Sequence, residues 1–154
     1  MANCIKKIIF LCTGNTCRSP MAEVLAKDEA KKNSLELDIS SRGIAVFFPS
    51  NASPHAIEAM KEYGLDLTNH ISKAILEDDI KNADIILTMT NNHKRDLINR
   101  FSNYTDKIFT LKEFVGESGD VEDPFGASLK VYKDCANSIE DLIKKLMQKL
   151  SKMC

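Results

Sequence analysis

The chain has 154 residues, 44% hydrophobic and 28% charged, a balance that fits one soluble globular domain over 1–154, large enough to bury a core without disulfide or metal staples. A formal charge of −1 without a basic stripe argues against a nucleic-acid partner, and no apolar run approaches membrane-spanning length. Five cysteines, at 4, 12, 17, 135 and 154, are an odd number that suits a reducing compartment. The amino end is too short for a signal peptide before structure begins, so the cytoplasm is the expected address.

Ile5–Leu11 is an apolar run that predicts a buried strand. A loop of small and polar residues follows, and a helix starts around Arg18–Pro20, running to Lys31 and Lys32 in its last turn. Backbone N–H groups at such a helix start lack partners, so this is a place for a phosphate. The loop opens with Cys12 and closes with Arg18, a C-x5-R spacing. A thiol is a nucleophile only as thiolate, and a ring of N–H donors, a helix start and an arginine all favour that form. Arg18 can grip two phosphoryl oxygens side by side. Thr13, Gly14, Asn15, Thr16 and Cys17 complete the cradle, with Gly14 and Asn15 suited to the curled or left-handed backbone that makes successive N–H groups converge. Ser19 can donate its hydroxyl to the sulfur and help it leave in a second step. Pro20 fits the first helical turn.

Leu35–Ser41 alternates as a second strand, through Leu35, Leu37 and Ile39. Ser53 is a candidate N-cap with Pro54 behind it and Gly64 a candidate stop, which predicts a helix over Pro54–Tyr63. A short helix near Leu76–Asn82 precedes the third strand, ADIILTM. Asn91–Phe101 is predicted helical and Lys107–Thr110 a fourth strand. From Tyr132 to Leu150, apolar residues recur at three- and four-residue spacing, the mark of a long amphipathic helix. Strands alternating with helices predict an α/β fold: a four-stranded parallel sheet with helices on both faces, and a ligand site beyond the strands' carboxyl ends.

The string CTGNTCRSPMAE and the late DPFG at Asp123–Gly126 resemble the low-molecular-weight protein tyrosine phosphatases, and within them the bacterial protein-arginine phosphatase branch. The likeness implies catalysis by Cys12, Arg18 and Ser19 with Asp123 as general acid and base, needing no cofactor and no metal. Asp120 and Glu122 are nearby competitors for the acid's role. Phe125 stands where the family has an aromatic at the cleft mouth, although a loop aromatic is more often an anchor. Asn15, Ser41 and His70 match a network that holds the loop, with His70 and Ser41 bonding the Asn15 side chain. His55 and His93 have no such match and read as surface residues. The family uses the equivalent of Cys12 and Cys17 as a reversible disulfide, whereas Cys4, Cys135 and Cys154 have no counterpart role.

Thr16 stands where phosphotyrosine-specific members commonly carry an aliphatic residue. Its hydroxyl can meet a guanidinium group, which favours phosphoarginine on proteins as substrate; phosphotyrosine is the alternative. An arsenate reductase would need two further cysteines after the third strand, and 71–110 contains none. A non-catalytic phosphate-binding module would be expected to have lost Cys12, Arg18 or Asp123. Nothing in the sequence asks for more than a monomer.

Overall fold

The computed structural model describes residues 4–153, so Cys154 lies outside the described residues. Four parallel strands form one sheet in the order β2-β1-β3-β4. They are β1 (Lys7–Cys12), β2 (Asp38–Gly43), β3 (Ile85–Thr88) and β4 (Ile108–Thr110). Around them lie α1 (Arg18–Lys32), α2 (Pro54–Lys61), α3 (Glu77–Asn82), α4 (Asn91–Arg100), α5 (Leu111–Phe114) and α6 (Leu129–Met153). A 3-10 segment, Ser102–Lys107, and the short α5 have no helical periodicity in the sequence and were not among the predicted elements.

β1 is the central strand, paired with β2 on one side and β3 on the other, and nearly all of it is buried. Its alternation separates two cores, as strand geometry requires. Ile8 and Phe10 point to the side covered by α1, α2 and α6, where Met21, Leu25, Ile139 and Leu146 are buried. Ile9 and Leu11 point to the other side, against Ile80 and Leu97 of α3 and α4. The expected helices on both faces are therefore present. Among the described residues, no helix is long and apolar enough to cross a membrane.

The second strand lies further along the chain than Leu35–Ser41. Its pairing with β1 begins at Lys7 opposite Asp38 and ends at Cys12 opposite Gly43. Leu35 and Leu37 pack at the edge of the core without joining the ladder. Ser53 does occupy the N-cap position of α2, but its side chain makes no cap hydrogen bond. The register brings the end of β2 beside the end of β1, against the loop that follows.

Candidate active site

The loop leaves β1 at Cys12 and enters α1 at Arg18. Its sharpest curl is at Asn15, whose φ of 57° is left-handed. A short polar side chain tolerates that region when it can bond locally. The Asn15 amide donates to Ser19 Oγ at 2.8 Å and to Ser41 Oγ at 2.9 Å, and its Oδ1 accepts from the Lys73 N–H at 3.0 Å. His70 also reaches this residue, but not as expected. Its Nε2 lies 2.7 Å from the Asn15 backbone carbonyl, while the side-chain oxygen accepts from Lys73. Ser41 passes the network on by donating to Glu23 at 2.6 Å, a partner with no signal in the sequence.

Gly14 is not the left-handed residue: its φ lies outside that region, and a Cβ there would meet only Thr16 Oγ1 at 3.8 Å. The indispensable glycine is Gly43. A Cβ at Gly43 would lie 2.8 Å from the Thr13 carbonyl and 3.1 Å from Asn15 Cβ, so any side chain would push the loop away. Among the described residues, no backbone carbonyl accepts from the N–H groups of Thr13 to Arg18. Those donors are thus available to an anion.

Cys12, Thr13, Gly14, Thr16, Cys17, Arg18, Asp123 and Phe125 line one cleft of about 230 Å³ at the carboxyl end of β1. Cys12 is buried, with its sulfur 2.9 Å from Ser19 Oγ. Arg18 is buried as well. It donates to the Val121 carbonyl at 3.0 Å and faces Asp123 Oδ2 at 3.5 Å. Val121 in turn donates its N–H to the Met89 carbonyl at 2.8 Å, just beyond β3. One residue therefore ties the Asp123 loop to the sheet and to the arginine.

Asp123 is half-exposed and accepts from the Phe125 N–H at 3.0 Å, a local turn that fixes its carboxylate. Neither of its two competitors lines the cleft. Asp120 accepts from the Asn91 N–H at 2.8 Å, at the start of α4, and Glu122 is exposed and absent from the cleft lining. Phe125 is 74% exposed, so it stands at the cleft mouth rather than tucking its loop onto the body.

Cys17 is buried, with Ser53 Oγ and Tyr132 Oη each 3.3 Å from its sulfur. Burial pushes the Tyr132 phenol up to about 12, so it remains a donor to this sulfur while Cys17 donates to Ser53. The Ser53 hydroxyl that fails to cap α2 is thus engaged here. Burial likewise pushes the Cys135 thiol up to about 12, and it lines a neighbouring cleft outside the site.

The clearest correction concerns His93. It is not a surface residue: its side chain is buried and its Nε2 lies 2.8 Å from Thr13 Oγ1. Burial and the Arg18 guanidinium hold its pKa down at about 4. His55 is exposed, its ring edge-on to Tyr132.

A thiol and a buried arginine closing one amide-lined cleft, with a carboxylate across its mouth, define a cysteine-dependent phosphatase. Comparison with known proteins agrees. The family described as low molecular weight phosphotyrosine protein phosphatase matches residues 7–154. The protein-arginine-phosphatase of Bacillus subtilis (strain 168) is 45% identical over 146 residues, 94% of this chain and 97% of that protein. The low molecular weight protein-tyrosine-phosphatase PtpB of Staphylococcus aureus is 40% identical over 140 residues, 91% of this chain and 96% of that one. A solved structure of YwlE arginine phosphatase, a cysteine-to-serine mutant with a phosphorylated active-site serine, superposes with a TM-score of 0.92 at 44% identity, covering 95% of this chain and 96% of that one. The chain belongs to the low molecular weight phosphotyrosine protein phosphatase family.

Proposed function

We propose that this chain is a protein-arginine phosphatase, acting as one domain on phosphoarginine in cytoplasmic proteins through a cysteinyl-phosphate intermediate. The observation that carries the mechanism is the convergence of Cys12, Arg18, Thr16 and Asp123 on one cleft. The Cys12 sulfur attacks phosphorus, an S–P bond forms, and the P–N bond to the substrate guanidinium breaks as the Asp123 carboxyl gives its proton to the leaving nitrogen. Arg18 and the N–H groups of Thr13 to Arg18 hold the equatorial oxygens throughout. Water then attacks phosphorus, the Asp123 carboxylate takes its proton, and the S–P bond breaks. Ser19, within hydrogen-bond distance of the sulfur, stabilises the departing thiolate.

Two observations support arginine as the substrate side chain. Thr16, a residue with a hydroxyl to offer a cationic leaving group, is among the residues lining the cleft, and arginine phosphatases from two bacilli, Bacillus subtilis and Geobacillus stearothermophilus, are 45% and 41% identical to this chain. The 40% identity to a protein-tyrosine-phosphatase supports the second reading, phosphotyrosine. Matched phosphoarginine and phosphotyrosine peptides, with Cys12→Ser as blank, decide between them. Faster turnover of phosphoarginine is expected; preference for phosphotyrosine would overturn the substrate assignment and leave the mechanism standing.

A further inference from the structure

We infer that His93 is a positioning residue for the phosphate loop: as the neutral Nε2–H tautomer it donates to Thr13 Oγ1 and turns the Thr13 hydroxyl proton into the cleft, toward a phosphoryl oxygen. The inference rests on reading the loop as a phosphate cradle, and the geometry of two residues carries it.

His93 sits in the first turn of α4, where its own backbone N–H donates to Thr90 Oγ1 at 3.1 Å. The residue is 7% exposed, and its two ring nitrogens differ sharply. Nε2 lies 2.8 Å from Thr13 Oγ1, whereas Nδ1 has no hydrogen-bond partner among the described residues. A neutral imidazole has one N–H to place. On Nδ1 it would be a buried donor without an acceptor. On Nε2 it is satisfied by Thr13, and only a bare lone pair remains at Nδ1, the milder defect.

The ring is neutral at working pH because burial and the nearby Arg18 charge oppose a proton. Asp123, Asp120 and Asp96 favour one, but the first two influences prevail and leave the pKa at about 4. The Thr13 oxygen therefore accepts from His93. Its own proton must turn away from the ring, and Thr13 lines the cleft beside Cys12 and Arg18. A side-chain donor is thereby added to the backbone donors and the guanidinium. A charge-assisted bond of this kind is worth about tenfold in binding.

The first test is the histidine ¹⁵N spectrum of the unmodified protein at pH 7. We expect one ring protonated at Nε2 and not at Nδ1; an Nδ1–H tautomer or an imidazolium at His93 would overturn the inference. The second is inorganic phosphate binding by titration calorimetry. His93→Leu and Thr13→Val should each weaken it about tenfold, and the double variant should be no weaker than Thr13→Val alone. His93→Gln, whose amide can still donate, should recover most of the loss. Multiplying losses, or His93→Gln no better than His93→Leu, would overturn it. Phosphate binding and the predicted tautomer without turnover of either phosphopeptide would sink the functional reading and uphold this one.

Discussion

Ser19 Oγ lies 2.9 Å from Cys12 Sγ while it accepts the Asn15 amide at 2.8 Å. With its oxygen accepting from Asn15, the serine has one proton to place, and of the two acceptors in reach the sulfur at 2.9 Å is nearer than the Arg42 carbonyl at 3.4 Å. The serine thus serves the thiolate, and Asn15 serves the serine. Ser19→Ala should slow alkylation of Cys12 by iodoacetamide at neutral pH and lower kcat about tenfold. Because the sulfur is the leaving group of the second step, rapid-quench measurements should show phosphoenzyme accumulating in the variant. Unchanged alkylation and no accumulation would remove Ser19 from the mechanism.

Among the described residues, Asp123 is the only carboxylate lining the cleft, and the backbone of Val121 sets its place. Asp123→Asn should therefore lower kcat by about 10²- to 10⁴-fold on phosphopeptides, the usual worth of a positioned acid. The loss should be much smaller with p-nitrophenyl phosphate, whose leaving group needs little help. Asp120→Asn should act differently, loosening the start of α4 where it accepts from Asn91, with a modest loss of stability and little loss of turnover. Equal effects of the two changes would contradict the assignment.

What could be read from the residues alone was whatever is contiguous. Cys12 to Arg18 form one loop in the chain, so spacing suffices to assemble them. Sheet and long helix were legible for the same reason, since period and capping are local. The second strand was misplaced because Leu35 and Leu37 alternate like a strand, yet only from Asp38 does β1 offer a partner. His93 was missed because α4 is the most polar of the helices, NNHKRDLINR, and a single histidine there resembles a solvated one. A signal did exist: His93 and Leu97 are one turn apart and are the helix's two buried residues, behind a Thr90 cap. The Val121 carbonyl and the Lys73 N–H left no trace, because backbone groups carry no side-chain signature.

The proposed choice of substrate rests on Thr16. Its hydroxyl lies 3.8 Å from Cys17 Sγ, and the residue lines the cleft. Thr16→Ile removes the polar atom and adds one carbon, and Thr16→Val, the isostere without the hydroxyl, separates the two changes. Turnover of a phosphoarginine peptide should fall about tenfold while that of a phosphotyrosine peptide holds or rises. Equal change in both would show that Thr16 only fills space.

Cys17 shares the cleft with Cys12 and is held by Ser53 and Tyr132. Hydrogen peroxide oxidises a reactive thiolate to the sulfenic acid, and attack by a second thiol then expels water and closes a disulfide. With Cys17 as that second thiol, peroxide inactivation should be reversed by dithiothreitol. Cys17→Ala should be inactivated as readily but recover much less, because further oxidation goes unopposed. Intact-mass measurement separates the outcomes: loss of two hydrogens in the native chain, addition of oxygens in the variant. Full recovery of Cys17→Ala would refute the pairing.

His93 also sets a pH dependence of stability. Its folded pKa of about 4 lies below the ordinary histidine value of 6.5, so on acidification the unfolded chain takes up a proton first. The stability tied to a neutral His93 is fully present above pH 6.5 and is lost as pH falls toward 4. Between pH 7 and pH 5 the urea midpoint of the native chain should therefore drop more than that of His93→Gln, which has no proton to gain. Contributions from the carboxylates are common to both proteins and cancel in the difference. The variant starts lower at pH 7 if the amide replaces the ring imperfectly, so the slope and not the level is the measure. Parallel slopes would mean that His93 titrates alike in the folded and unfolded chains and would overturn this prediction.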